Sequence, residues 1–177
     1  TDTYVVKSNK TDNYGFRHVT LQKSYKGVPI FDGQLRFHYN KNGQLATFNG
    51  NVFNFKNNNP IPTLSEEIAK ARGKKHVVNF ENYEKFKDLS ATKSTLYFYQ
   101  KNLISGGQGA VHLVYQIELK NNAGAREYVM VDAHDGSLVE KYTGTHEVLD
   151  RKLYNQSILP ANLVWQEGNA FPGSLNV

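Results

Sequence analysis

The chain has 177 residues, no cysteine, and a formal net charge of +5 from 21 Lys and Arg against 16 Asp and Glu. That length suits one domain or two small ones, and a single domain of this size buries roughly 70% of its unfolded surface, enough for a core without crosslinks. The composition excludes disulfides and thiolate-bound metal, and no apolar run approaches the ~20 residues of a membrane span. The basic residues are scattered along the chain, which favours a solvated surface over a nucleic-acid groove. A lack of cysteine fits the cytosol and equally a bacterial secreted protein. The opening residues, TDTYVVKSNK, lack the pattern of a signal peptide.

In chain order, residues 14–55 read as a β-meander. Residues 17–23 alternate, with Val19 and Leu21 on one face. Asp32-Gly33 leads into residues 34–39, where Leu35, Phe37 and Tyr39 share one face and Gln34, Arg36 and His38 the other. Asn42-Gly43 is a strong hairpin signal; residues 45–48 return, and Asn49-Gly50 turns into a further strand at 52–55. Turns of this kind at short spacing argue an antiparallel sheet with one wet face.

Residues 57–62, NNNPIP, extend neither a strand nor a helix, and a domain boundary is expected there. Thr63 and Glu66 have the spacing of a capping box. Ile68, Ala71 and Val78 lie near one face of the helix that follows, Gly73 weakens it, and Lys74-Lys75 suits its C-terminal half. Residues 81–89, with Tyr83 and Phe86 three apart, read as one more short helix.

Residues 95–99 are aromatic and β-prone. Ser105-Gly106-Gly107-Gln108-Gly109 is a flexible loop. Residues 111–119 form the clearest strand, with Val111, Leu113, Tyr115, Ile117 and Leu119 on one face. A strand from Arg126 follows, with Tyr128 and Met130 opposite Val129 and Val131; Asp135-Gly136 turns into residues 137–142. Beyond Tyr142 the pattern stops, and Thr143-Gly144-Thr145-His146 reads as polar linker. The fold class expected is α+β: a meander, then one or two helices with a four-stranded antiparallel meander.

No catalytic constellation stands out. The six histidines, His18, His38, His76, His112, His134 and His146, include no i,i+4 pair of the kind a zinc-protease helix needs. His146-Glu147 begins such a signature, but Asp150 stands where the second His belongs. Asp132, His134 and Asp135 crowd a hairpin, and turn chemistry accounts for them better than a cation does. There is no nucleophile elbow and no phosphate-binding loop. The catalytic and cofactor-binding sets are therefore empty. His146 and Glu147 are left as weak metal candidates.

The stretch from His18 to Phe53 resembles the FTP domain shared by thermolysin and fungalysin precursors. That domain reads Gln, then Tyr-x-Gly-x-Pro-Val-Phe, then glycines separated by strands. Here these fall on Gln22, Tyr25, Gly27, Pro29, Ile30, Phe31, Gly33, Gly43 and Gly50. Residues 64–142 resemble a PepSY domain, ending in the pattern carried by Tyr128, Val131, Asp132, Ala133 and Gly136. The tail through Leu153, Tyr154, Leu159-Pro160 and Leu163-Val164 is similar to the first strands of a thermolysin-like catalytic domain. It departs from that pattern at Asn162 and Trp165.

The resemblance implies an FTP-like unit at 1–59, a cystatin-like PepSY unit at 60–146, and a linker with the start of a catalytic-domain-like segment at 147–177. It implies a secreted prosegment that acts as intramolecular chaperone and active-site inhibitor, removed by autoprocessing. The partner would be the cognate metalloprotease catalytic domain, which would carry the zinc and calcium; neither nucleic acid nor membrane is expected as a partner. The inhibitory segment is expected at Thr143, Gly144, Thr145, His146, Glu147, Val148 and Leu149. Thermolysin-like enzymes prefer a bulky aliphatic residue after the scissile bond, which favours Glu147–Val148, then Val148–Leu149. The rival reading is a stand-alone secreted PepSY-type module that inhibits a protease in trans or binds a cell-wall polymer.

Overall fold

Residues 2–53, 55, 57–78, 83–144, 152–155 and 162–166 are described by a computed structural model of the chain. The first four strands, β1 (Asp2–Thr11), β2 (Arg17–Tyr25), β3 (Val28–Tyr39) and β4 (Leu45–Gly50), pair in sequence as an antiparallel meander. Short polar side chains build two of its turns. The Asp12 carboxylate accepts from the amides of Tyr14 and Phe16, both at 2.9 Å, and the Asn40 side chain accepts from those of Asn42 and Gln44, both at 3.0 Å. The β2–β3 turn is Lys26-Gly27, with φ of 48° and 83°, and these positive angles match the twist of the flanking strands.

The expected meander is present, with three differences. Residues 2–11, given no strand from sequence, form β1. Lys-Gly is a weaker turn signal than Asn-Gly, so the β2–β3 hairpin was not anticipated, and Asp32-Gly33 falls inside β3. Residues 51–53 and 55 form no strand; Phe53 and Phe55 instead bury their rings in the core, at 8% and 7% exposure. The pairing of β2 with β3 shifts register between Gln22 and Ser24, near Asp32, whose φ is 56°. The Gln22 side-chain amide donates there to the carbonyls of Ile30 (2.8 Å) and Gly33 (3.3 Å), satisfying groups that the irregularity takes out of the ladder.

The second part places α1 (Glu66–Val77) and the short α2 (Tyr83–Phe86) before four antiparallel strands, β5 (Ser90–Gln100), β6 (Val111–Lys120), β7 (Arg126–Asp132) and β8 (Leu138–Thr143). Helix α1 packs on β5, β6 and β7. Its cap is Ser65, whose hydroxyl accepts from the Ile68 amide, and not the expected Thr63. Thr63 is engaged elsewhere: its amide and that of Leu64 donate to the Ala133 carbonyl at 3.0 and 2.9 Å, tying the helix entry to the β7–β8 turn. The buried face is Ala69, Gly73 and Val77, while Ile68 and Ala71 are exposed. The expected apolar stripe was therefore misplaced. The sheet already supplies bulky side chains, so the helix presents small ones and sits close. A β-carbon on Gly73 would lie 3.1 Å from the Ile117 side chain.

The two meanders share one sheet. β3 pairs with β2 along its length, so its other edge is divided: the C-terminal half takes β4, and Ile30 pairs in parallel with Phe98 of β5. The strand order is β1-β2-β3-β5-β6-β7-β8, with β4 beside β3. The class is mixed helix and sheet with few helices, as expected, but the two meanders are not separate bodies. The chain divides into Thr1–Gly144 and Thr145–Val177, and the break at residues 57–62 falls inside the first unit. The second unit contains β9 (Lys152–Asn155) paired antiparallel with β10 (Asn162–Gln166).

The main core lies between α1 and the sheet and includes Ile30, Phe98, Leu113, Ile117, Leu119, Val129 and Val131. The expected apolar face of β6 is the one buried there, with Leu113 at 2% and Ile117 at 0% exposure. Its other face is also buried at Val114, against Tyr99, Met130 and Val139. Truncating Leu113→Ala or Ile117→Ala therefore removes packed methyl groups with little room for collapse, and each should lower stability by about 2–5 kcal/mol in urea titration. A midpoint unmoved by both would show that this face is not the core.

Candidate functional site

The candidate site is the place where the sheet hands the chain to the polar linker. Among the described residues β8 is an edge strand, paired with β7 alone. Its last residue, Thr143, is exposed and opposite Glu127; the ladder then ends with the Gly144 amide donating to the Arg126 carbonyl at 2.7 Å. Thr143 and Gly144 are thus fixed to β7. A β-carbon on Gly144 would come 2.7 Å from the Tyr128 ring and 3.2 Å from the Arg126 side chain, so only glycine fits this approach without movement. Thr145, His146, Glu147, Val148 and Leu149 lie outside the described residues, and with them both weak metal candidates.

Below the exit, the sheet face away from α1 carries a polar cluster. Tyr128 and Tyr142, opposite one another, stack with centroids 4.8 Å apart, and the Tyr142 hydroxyl accepts from the Gln116 amide at 2.7 Å. Glu118, 7% exposed, accepts from the Tyr128 hydroxyl at 2.9 Å, from the Arg126 guanidinium at 2.7 and 2.5 Å, and from Thr92 at 3.0 Å; Lys120 pairs with it at 3.2 Å. Burial alone would push the Glu118 carboxyl up. The hydrogen bonds from Tyr128, Arg126, Lys120 and Thr92 outweigh it and hold the group down at about 2. Spacing within one segment does not reveal this cluster, because its members come from four strands, β5 to β8. The signal was the hairpin itself: pairing across residues 121–125 sets Glu118 opposite Tyr128 and Lys120 opposite Arg126.

Other candidates resolve into structural roles. The Asp132 carboxylate accepts from the amides of His134 and Asp135, at 2.8 and 3.3 Å, and from His112 at 2.8 Å, so it is occupied by its own turn and a neighbouring strand. His76 meets the Gly136 carbonyl at 3.1 Å and the Thr63 hydroxyl meets His134 at 3.2 Å, locking the same turn to α1. The sheet also makes a histidine pair that spacing within one segment cannot reveal. His18 and His38 face each other across β2 and β3 with Nδ1 atoms 2.7 Å apart, and Asp12 lies 3.2 Å from His18 Nε2. Among the described residues no group of three or more His, Asp and Glu side chains forms a metal cage. A recess of about 750 Å³ beside α2 is lined by charged and amide groups such as Glu84, Lys87, Asp88 and Asn121. Lys87 there pairs with Glu84 at 2.8 Å. The recess over Glu118 is about 140 Å³, too small for a peptide substrate.

Three comparisons bear on this arrangement. Residues 2–52 match the Fungalysin/Thermolysin Propeptide Motif. Bacillolysin of Brevibacillus brevis is 27% identical over 142 residues, covering 77% of this chain and 25% of that protein, so the chain spans about a quarter of that relative's length. Among solved structures, the C-terminal domain of Bacillus megaterium YpeB aligns with a TM-score of 0.45 and 14% identity, over 79% of this chain and 56% of that one. The motif match includes β1 and ends just past β4, the meander whose Gln22 and Tyr25-Gly27-Pro29-Phe31 carry the resemblance. Motif and relative together support a thermolysin-like protease propeptide.

Glu118 makes the exit sensitive to acid in a defined window. A carboxyl with an ordinary value near 4.5 in the unfolded chain and about 2 in the folded one stabilises the fold fully above the ordinary range, and this is lost as pH falls toward 2. The urea midpoint should therefore fall between about pH 4.5 and pH 2. Glu118→Gln should lower it at neutral pH and flatten that acid dependence. Parallel curves for the two proteins would remove Glu118 as the source.

Proposed function

We propose that this chain, which carries a propeptide motif over residues 2–52, is the prosegment of a secreted thermolysin-like zinc metalloprotease, acting as chaperone and active-site inhibitor of the catalytic domain that follows it. Within it we assign residues 1–59 to the FTP-like meander, 60–146 to a cystatin-like PepSY module and 147–177 to the linker and the start of the catalytic part. The observation that carries the reading is the coupling of that motif, through one continuous sheet, to an edge strand that ends at Thr143, with the Gly144 amide still bonded to Arg126. A prosegment must hold its body still while its C-terminal linker lies extended in a cleft. A linker held at one end loses less freedom on binding than a free peptide does. The role needs no catalytic group in this chain; zinc and calcium belong to the catalytic domain. None of the described helices is long and apolar enough to cross a membrane, which is compatible with export of the precursor.

On this reading residues 143–149 enter the cleft and the bond cut is Glu147–Val148, with Val148–Leu149 next, leaving His146 and Glu147 on the product near the zinc. Mass spectrometry of the processed precursor should find a new N-terminus at Val148 or Leu149. A precursor with its zinc-binding residues replaced should stay uncut. Cleavage that persists in the inactive precursor, or a terminus outside residues 143–150, would remove the autoprocessing step.

A further inference from the structure

The meander β1–β4 has two chemically different faces. Residues opposite one another in an antiparallel sheet point the same way. The pairings of Val6 with Leu21, of Leu21 with Leu35, and of Val19 through Phe37 to Phe48 therefore collect large apolar side chains on one side. The other side collects Thr20, Arg36 and Asn49, and His18, His38 and Thr47. In a soluble sheet the apolar side is the one that another layer covers. Here Val6 and Phe48 are 59% and 64% exposed, Val19, Leu21, Leu35 and Phe37 are only half-buried, and α1 packs on β5, β6 and β7 instead. Phe37 and Phe48 stack, with centroids 6.1 Å apart, and present a preformed aromatic pair.

Charge says what kind of surface this face accepts. Residues 2–52 hold seven Lys and Arg against Asp2, Asp12 and Asp32, so they carry +4 of the chain's +5. Lys7, Lys10, Arg17, Lys26, Arg36 and Lys41 are all exposed. Lys10 and Arg36, opposite His18 and Asn49, stand on the polar side, whereas Arg17 shares the apolar side with Val19 and Leu21, and Lys26 and Lys41 sit in the turns at its ends. A second copy would bring +4 against +4, whereas an acidic partner is drawn in. We propose that this face is a second docking surface for the cognate protease, seating an apolar patch rimmed by carboxylates on the catalytic domain. The proposal rests on the prosegment reading above and adds to it a contact separate from the cleft segment. In the sheet order β2 and β8 are five strand spacings apart, on the order of 24 Å. Two contacts on one sheet reinforce each other, because seating one raises the effective concentration of the other.

The test uses the full 177-residue chain and the mature protease of the same precursor. The double variant Val6→Ser/Phe48→Ser alters exposed side chains and gives up the Phe37–Phe48 stack, so its thermal midpoint should fall modestly while the cooperative unfolding transition is kept. Its inhibition constant should rise at least tenfold. Arg17→Glu/Lys41→Glu should slow association and blunt the salt dependence of inhibition. Equal inhibition by the parent and the serine variant, with the parent inhibiting well, overturns the docking face and leaves the prosegment reading intact. A parent chain that does not inhibit at all removes both. A parent dimer in sedimentation that the serine variant abolishes would assign the face to a second copy and overturn the proposal.

Discussion

The pairing of Ile30 with Phe98 decides what kind of object this chain is. Among the described residues it is the one parallel contact in an otherwise antiparallel assembly. Both residues are almost wholly buried, at 1% and 0% exposure, and Tyr25 and Phe55 meet the Phe98 ring edge-on at 5.6 and 6.0 Å. Without it there would be two small meanders, each with a short core and marginal stability. With it, β3 belongs to both: its first residues sit in the core under α1, and its last ones extend the open meander. The register shift beside Gln22 lies where β3 passes from one role to the other, and the Gln22 amide satisfies the carbonyls exposed there.

The same continuity gives meaning to the far edge of the sheet. β8 ends the order, and its exit is fixed by a backbone bond to Arg126, a stacked tyrosine pair and a carboxylate that gathers two cations, a phenol and a hydroxyl. A buried charge so fully satisfied contributes definition of geometry more than net stability, because desolvation offsets much of the attraction. Definition of geometry is what an exit point requires. The Lys120, Arg126 and Tyr128 donors come from both strands of the β6–β7 hairpin, so bending the hairpin would break several bonds at once.

Much of this was legible in the sequence, for reasons that differ by element. Strand β6 was readable because alternation and burial coincide over residues 111–119. The Asp135-Gly136 and Asn42-Gly43 turns were readable because their residue types tolerate the required backbone angles. Helix α1 was placed correctly but faced wrongly, since Ala69 and Gly73 carry no hydrophobic signal strong enough to mark a buried face. The joining of the meanders was not readable, because a lone parallel pairing between Ile30 and Phe98 leaves no local pattern. The Glu118 cluster and the His18–His38 pair were hidden for a related reason: each depends on cross-strand register. The motif, by contrast, was recognisable because Gln22, Gly27 and Gly33 do structural jobs at fixed spacing.

The open face of β1–β4 poses a physical problem that the charge distribution answers. An exposed apolar sheet face beside a free edge strand is a template for self-association. β1 is such an edge, and Tyr4, Val5 and Val6 on it are all exposed. Desolvating this face against another copy would be favourable by area alone. Exposed cations on the same meander oppose that encounter through like-charge repulsion, and the repulsion acts before contact, over roughly a Debye length of 8–10 Å. Apolar packing is non-directional and cannot distinguish a copy from a partner; the sign of the charge can. Concentrating +4 of the net +5 on residues 2–52 leaves the face available to an acidic surface while it discourages pairing with itself.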